Sequence, residues 1–321
     1  MMNALSTLLA AREVPVFNAS MAGAAGVELA SAVSAAGGIG MLGVTGTPDL
    51  SMLSRSGERL HNDGAVWGAG FLSFALERDM APLHAVLAHQ PDVVSLGFGG
   101  CDDAITAIRE TPAVLLAQVG NADELEQAAD ARVDGIIVRG SEAGGHGRND
   151  IGALPFLQLA AQHTDIPLVA AGGVTTPRGL AAVIAAGAVG AWVGTRFAVA
   201  TESQFPDAAR QRVIDAQCGD TVYTRVFDIA QRSSWPPHYG GRALSNEFSD
   251  TWHGREDDLE RQVATTDVIT ADMNDARASS RFDVGPIYAG EGSAMITRVE
   301  TAAEIVDDFA SYRDYLHGSR F

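Results

Sequence analysis

Short apolar runs rich in Val, Ile, Leu and Ala, most of them closed by glycine, alternate along the chain with stretches of helical spacing. The runs are apolar throughout rather than alternating, which is the pattern of strands covered on both faces. In order they predict strands over 14–17, 39–44, 65–74, 93–98, 113–119, 135–138, 167–171 and 191–199. Helices are predicted over 26–36, 80–89, 102–109, 154–163, 179–186 and 205–216, with others starting at Thr47 and after Asn121. Asn121 is placed to cap its helix, and Glu124 three residues later completes a capping-box-like pattern. Thr176 followed by Pro177 marks another start. Eight strand–helix units within about the first 216 residues match the size of a (β/α)8 TIM barrel. A doubly wound open sheet is the runner-up, and the short loops favour closure.

The pattern changes after Cys218. Trp235-Pro-Pro-His-Tyr-Gly-Gly241 is irregular, 252–262 is charged with helical spacing, and no separate core is evident. The expected organisation is a barrel over 1–216 and a smaller cap or insertion over 217–285, either a lid or a packed structural appendage. A glycine-rich loop and helix over 286–321 would pack back on the barrel.

The stretch from Gly135 to Gly147, GIIVRGSEAGGHG, draws the chemistry to itself. A buried strand breaks into a turn of small residues that ends on His146, just beyond the carboxyl end of a strand, where ligands sit in parallel α/β proteins. An imidazole there can exchange a proton near neutral pH. The other seven of the eight histidines lie in or beside helices or in the later part of the chain, and none is assigned a role. Glu142 is read as holding the loop by accepting main-chain N–H bonds. Arg139 either faces the cavity or pairs with Glu142 or Asp134. Ala171-Gly-Gly173 after the seventh strand and Val193-Gly-Thr195 in the eighth would be neighbours in a barrel, where a phosphate is commonly held. A phosphate-bearing cofactor follows. No G-x-x-x-x-G-K-[ST] loop or dinucleotide fingerprint is present.

A formal net charge of −18 disfavours a nucleic-acid backbone or an anionic membrane as partner. No apolar run reaches the roughly 18 residues of a membrane span. Cys101 and Cys218 offer neither a disulfide framework nor metal spacing, so no metal site is expected. With no signal-like N-terminus, a cytoplasmic location is expected.

These residues give the chain a family. It resembles the nitronate monooxygenases, the 2-nitropropane-dioxygenase-like flavoproteins, over most of its length. Asn18-Ala-Ser-Met-Ala-Gly23, Ala36-Gly-Gly-Ile-Gly40 and Ala117-Gln-Val-Gly120 carry the likeness. So do Gly140-Ser-Glu-Ala-Gly-Gly-His146, Ala170-Ala-Gly-Gly-Val174, Gly194-Thr-Arg-Phe197 and Tyr288-Ala-Gly-Glu-Gly292. Glu-Ala-Gly-Gly-His is the most specific of them. The resemblance implies a barrel with a smaller cap, binding FMN non-covalently. It would set Ala19 and Met21 against the isoalloxazine ring and Gln118 at the ring or the ribityl chain. Gly144 would line the flavin pocket, and Gly172, Gly173, Gly194 and Thr195 would hold the phosphate. His146 would be the catalytic base or would orient the substrate, with Arg139, Ser20, Trp192 and Tyr288 in the substrate pocket. The implied reaction is oxidation of alkyl nitronates by O2 to a carbonyl compound and nitrite. The expected partners are therefore a small molecule and O2, and a homodimer is left open.

The chain departs from the family pattern at Ser20, where Pro is common, at Arg139 and Trp192, where Gln is common, and near Gly70, where Asn is common. Arg139 and Trp192 would reshape the pocket if they face it. An FMN-dependent enoyl-ACP reductase using NAD(P)H is the alternative activity. It would need an acyl-carrier partner, and no basic patch suited to one is evident. A flavin-binding barrel without turnover is the third reading.

Overall fold

The computed structural model describes residues 3–317. Among the described residues eleven strands are formed, in chain order β1 (Val16–Asn18), β2 (Gly40–Gly43), β3 (Trp67–Leu72), β4 (Val93–Gly97), β5 (Val114–Val119), β6 (Gly135–Arg139), β7 (Gly145–Gly147), β8 (Leu168–Ala171), β9 (Ala188–Val193), β10 (Thr221–Thr224) and β11 (Gly240–Leu244). Eight of them form one sheet in the order β1-β9-β8-β6-β5-β4-β3-β2, with every pair parallel. A parallel bridge between Phe17 and Ile39 brings the two outermost strands together. The result is an α/β fold of the TIM-barrel type, nearly closed.

All eight strands expected from the apolar runs are present. Two are shorter than expected, because the chain turns helical at Ser73–Leu76 and again at Thr195–Ala198. The closure that main-chain bonding leaves incomplete is finished by a side chain. Asn18, fully buried, accepts from Met41 N–H at 2.8 Å and donates to the Met41 carbonyl at 2.8 Å, imitating a strand neighbour. Phe17, Met41, Val93, Leu116, Ile137, Val169 and Trp192, from seven different strands, fill the barrel interior. Leu5 and Leu9 of an unexpected first helix, Ala4–Ala10, join that cluster, and Leu5 lies against Gly135 at the start of β6. The N-terminal end of the barrel is thereby plugged, and the C-terminal end is left to the loops.

Two expectations about the rest of the chain are corrected. The helix Asp207–Ile214 does not complete the barrel wall. It packs in a separate cluster with Leu244, Ile287 and Ile296, while Ala302, Ile305, Val306 and Phe309 of the helix Ala302–Ala310 join the main core beside Leu29, Val33 and Leu180. The region after Cys218 also has a core of its own, built on Val226, Phe227, Ala230, Leu259, Val263 and Met273. Four helices, Val226–Gln231, Glu247–Trp252, Glu256–Thr265 and Val268–Ala278, stand where only one was expected. The His146 segment is not a free loop. It is β7, the edge of a three-stranded sheet β10-β11-β7 that joins the cap to the barrel.

Candidate active site

The C-terminal mouth is built where short loops from distant strands meet. Gly172 (φ 117°) and Gly173 (φ 66°) follow β8 in conformations that only glycine adopts without strain. Gly194 follows the neighbouring β9, and a Cβ there would lie 3.7 Å from Met21 Sδ and 3.8 Å from the Ala19 Cβ. The proposed ring-side residues and one phosphate turn are thus brought together by β1 and β9. Thr195 Oγ1 accepts from Gly290 N–H at 3.0 Å, so the hydroxyl ties the C-terminal loop to this turn and keeps its own proton to donate. Beneath the turns Arg196 is buried and donates to the Thr175 carbonyl (2.9 Å), Asp308 (2.7 Å) and Glu300 (3.1 Å). Sequence reading passed over it, although an arginine between Thr195 and Phe197 in an apolar run was a signal that it is paired.

Glu142 has the structural role expected of it. Its carboxylate accepts from Ala153 N–H at 3.0 and 3.1 Å, at the start of the helix Ala153–His163, and its carbonyl accepts from Glu291 N–H. Gly144 packs against the Ala289–Gly290 backbone, where a Cβ would come within 2.5 Å of Gly290 N. The close approach of two segments of the chain requires a glycine there.

Arg139 is corrected. It is buried and pairs with neither Glu142 nor Asp134. One guanidinium nitrogen donates to the carbonyls of Ala143 (2.9 Å), Gly144 (3.1 Å) and Gly145 (2.9 Å). A Cβ on Gly147 would collide with the same guanidinium. Arg139 therefore lies under the loop and shapes it, and burial pulls its pKa down to about 10. Trp192 is corrected as well. It is buried in the barrel interior with its ring 5.2 Å from Phe17, so it forms the floor of the barrel mouth rather than a pocket wall.

Ser20 and Gly70 prove to be one feature. A Cβ on Gly70 would collide with the Ser20 side chain, so the two departures from the family pattern fit each other. The Ser20 hydroxyl is buried with no hydrogen-bond partner among the described residues. An orphaned hydroxyl beside Met21, near a glycine cradle that a Cβ would fill, fits a polar heterocycle bearing a phosphate. Gln118 stands at the end of β5 beside Gly97 and lines a cavity of about 310 Å3 with Arg148 and Tyr239.

His146 has more support than its glycines suggested. Its Nε2 lies 2.9 and 3.0 Å from the two carboxylate oxygens of Asp228, on the cap helix Val226–Gln231. Its ring stacks on Trp235 with centroids 3.9 Å apart and planes 3° from parallel, and Tyr288 leans on it at 5.0 Å. The Tyr288 phenol is pushed well above its ordinary pKa by burial first and then by the Asp228 charge, so it stays protonated. Trp235 in turn meets Phe74 (5.1 Å) and Phe98 (4.8 Å) edge to face. Phe98 holds φ at +68°, a strained conformation for a bulky residue. Asp228, Trp235 and Phe98 were all missed. A lone acid within the apolar Val226-Phe-Asp-Ile-Ala230 and a tryptophan ahead of two prolines were the available signals.

A family model described as nitronate monooxygenase matches residues 68–311. The chain is 31% identical to nitronate monooxygenase npaC of Metarhizium robertsii, over 91% of this chain and 88% of that one. It is 32% identical to a hydroxy-methyl-oxo-octahydroindene-carboxyl-CoA dehydrogenase of Mycobacterium tuberculosis, over 67% of this chain and 61% of that one. The solved structure of a nitroalkane oxidase from Streptomyces ansochromogenes superposes with a TM-score of 0.80 at 25% identity, over 97% of this chain and 99% of that one.

Proposed function

The chain belongs to the nitronate monooxygenase family, and we propose that with bound FMN it oxidises nitronates or their parent nitroalkanes by O2 to a carbonyl compound and nitrite. The class, a flavin-dependent oxidoreductase acting on small organic molecules, comes with the family. Gly172, Gly173, Gly194 and Thr195 would hold the phosphate, while Ala19, Met21, Ser20 and Gln118 would meet the ring and the ribityl chain. When bound, the flavin supplies the electron acceptor. The protein's share is to hold the substrate at the barrel mouth, to exclude water with the segment Trp235–Tyr239, a strap held by Trp235 stacking on His146 and Tyr239 donating to Glu124, and to handle the α-proton at His146.

The observation that carries this reading is the imidazole itself. It is fixed by a carboxylate and an aromatic plane at the C-terminal mouth, beside the loop that Arg139 shapes. A neutral nitroalkane must lose its α-proton before oxidation, whereas a preformed nitronate has already lost it. Removing a general base typically costs roughly 10²–10⁴-fold in rate. His146→Asn should therefore stay yellow, lose activity on the nitroalkane by that order, and keep a much larger share on the nitronate. Equal losses on both would make His146 a binding residue, and a colourless variant would make it a structural one.

The likeness to a carboxyl-CoA dehydrogenase supports a second reading, oxidation or reduction of a thioester-linked substrate with a nicotinamide partner. Reduction of the bound flavin by NAD(P)H separates it from the first.

A further inference from the structure

We propose that Asp228, a residue of the cap, is the positioning residue of the base, and that it assigns proton abstraction to Nδ1 of His146. The inference rests on the reading of His146 as a base, and it goes further by naming the working atom and the group that selects it.

An ionised carboxylate only accepts hydrogen bonds. A neutral imidazole has one nitrogen that donates and one that accepts. With both Asp228 oxygens at 2.9 and 3.0 Å from Nε2, that nitrogen must carry the proton. Nδ1 is then the bare nitrogen, and only it can take a proton from a substrate. The ring cannot easily turn to present its other edge. One face is covered by Trp235 at 3.9 Å, and the side chains of His146 and Asp228 are 9% and 10% exposed. Tyr288 tilts against the ring at 5.0 Å and is kept from becoming a competing base by its raised pKa. Trp235 is itself held by Phe74 and Phe98, so the stacking plane is built into the aromatic strap.

The step balances within the substrate and the imidazole. The α C–H bond of a nitroalkane breaks, the proton passes to Nδ1, and the electron pair moves into the C=N bond of the nitronate. The imidazolium formed stands against the Asp228 carboxylate, which stabilises it without taking its proton, as in the Asp–His pair of serine proteases. The location of Asp228 gives the cap a task. Its helix is anchored in the cap core by Val226, Phe227 and Ala230, and β7, which carries His146, is bonded to β11 of the same cap. Base and orienting group are therefore fixed to each other through the cap, and the barrel supplies only the site at which they act.

Two measurements test this on the purified, flavin-loaded protein. The first uses 15N-labelled histidine, with the His146 signals assigned by their loss in His146→Asn. In the neutral ring, Nε2 should be protonated and Nδ1 bare. In Asp228→Asn the amide can donate instead, and the ring should shift towards the opposite tautomer. A wild-type ring with the proton on Nδ1 would overturn the proposal whatever the variants do. The second is kinetic. Asp228→Asn should lose roughly 10²–10⁴-fold in kcat on a neutral nitroalkane with little change in KM, and should stay within a few-fold of wild type on the nitronate. Asp228→Glu should recover part of the loss. Unchanged turnover of the nitroalkane in Asp228→Asn, beside a large loss in His146→Asn, would overturn the role of Asp228 and leave the base in place. Equal losses on both substrates would make Asp228 structural and overturn it too. If His146→Asn itself keeps full activity, it is the functional reading that fails, before Asp228 is at issue.

Discussion

At the scale of single residues, the positions of the glycine turns and of His146 at strand ends were legible because a glycine and the end of an apolar run are local features, whereas the surroundings of Arg139 and Trp192 were not. Sequence reading offered Arg139 a cavity or a carboxylate, and it found three carbonyls of its own loop. Nothing in the one-dimensional pattern says that a loop of small residues exposes its carbonyls inward and calls for a cation there. Trp192 continues an apolar run, and its inward direction follows only from the register that pairs it with Phe17. Gly194 carries a prediction at this scale. A carboxylate in place of its hydrogen would project towards Met21 and Ala19 and repel a phosphate. Gly194→Asp should lower flavin occupancy sharply, and flavin released from the wild type should chromatograph as FMN. Normal occupancy in the variant, or FAD in the wild type, would remove the β9 turn from the site.

At the scale of elements, the strands could be read from apolar runs, but the joints between them could not. Asn121 does cap its helix, accepting from Glu124 N–H at 3.0 Å. The Glu124 carboxylate departs from the expected box, accepting instead from Gly120 N–H, Arg148 and Tyr239, and so fastens the strap to the barrel. Asn18 is a joint of the same kind. Asn18→Ala would leave the Met41 N–H and carbonyl buried without partners, a loss of roughly 2–5 kcal/mol. It should show as a lower denaturation midpoint with an unchanged denaturant slope. A midpoint equal to wild type would mean that the Phe17–Ile39 bridge closes the barrel unaided.

Asp92 is a third joint, accepting from Trp67 N–H at 2.9 Å across β3 and β4. Burial raises its pKa above 3.8, and the Trp67 hydrogen bond offsets this only in part. The charged carboxylate is therefore a cost in the folded state, absent well below pH 3.8 and complete above the folded pKa. Asp92→Asn keeps an acceptor for Trp67 and removes the charge. It should raise stability at pH 7, and the gain should close as the pH falls towards 3.8. A difference that widens on acidification would mean that the carboxylate is stabilised by folding.

At the scale of the molecule, eight runs of buried strand were enough to anticipate a barrel. The helix that completes its wall was misplaced, because an amphipathic stripe does not say which groove it fills. The chain leaves the barrel after β9, builds the cap, and returns with Ala302–Ala310 to cover it. The cap looked coreless because its apolar residues come from three separate helices and a strand, each contributing only a few of them. It supplies Asp228 and Trp235 to a histidine of the barrel side, so the site is completed by a fold-level contact that no local motif announces.

Anaerobic spectroscopy of the purified yellow protein tests the functional reading most directly. An alkyl nitronate added without O2 should bleach the flavin absorbance, NAD(P)H should leave it unchanged, and admitting air with the nitronate should restore the colour with release of nitrite. Bleaching by NAD(P)H and not by the nitronate would contradict the account and place the enzyme among the nicotinamide-dependent oxidoreductases.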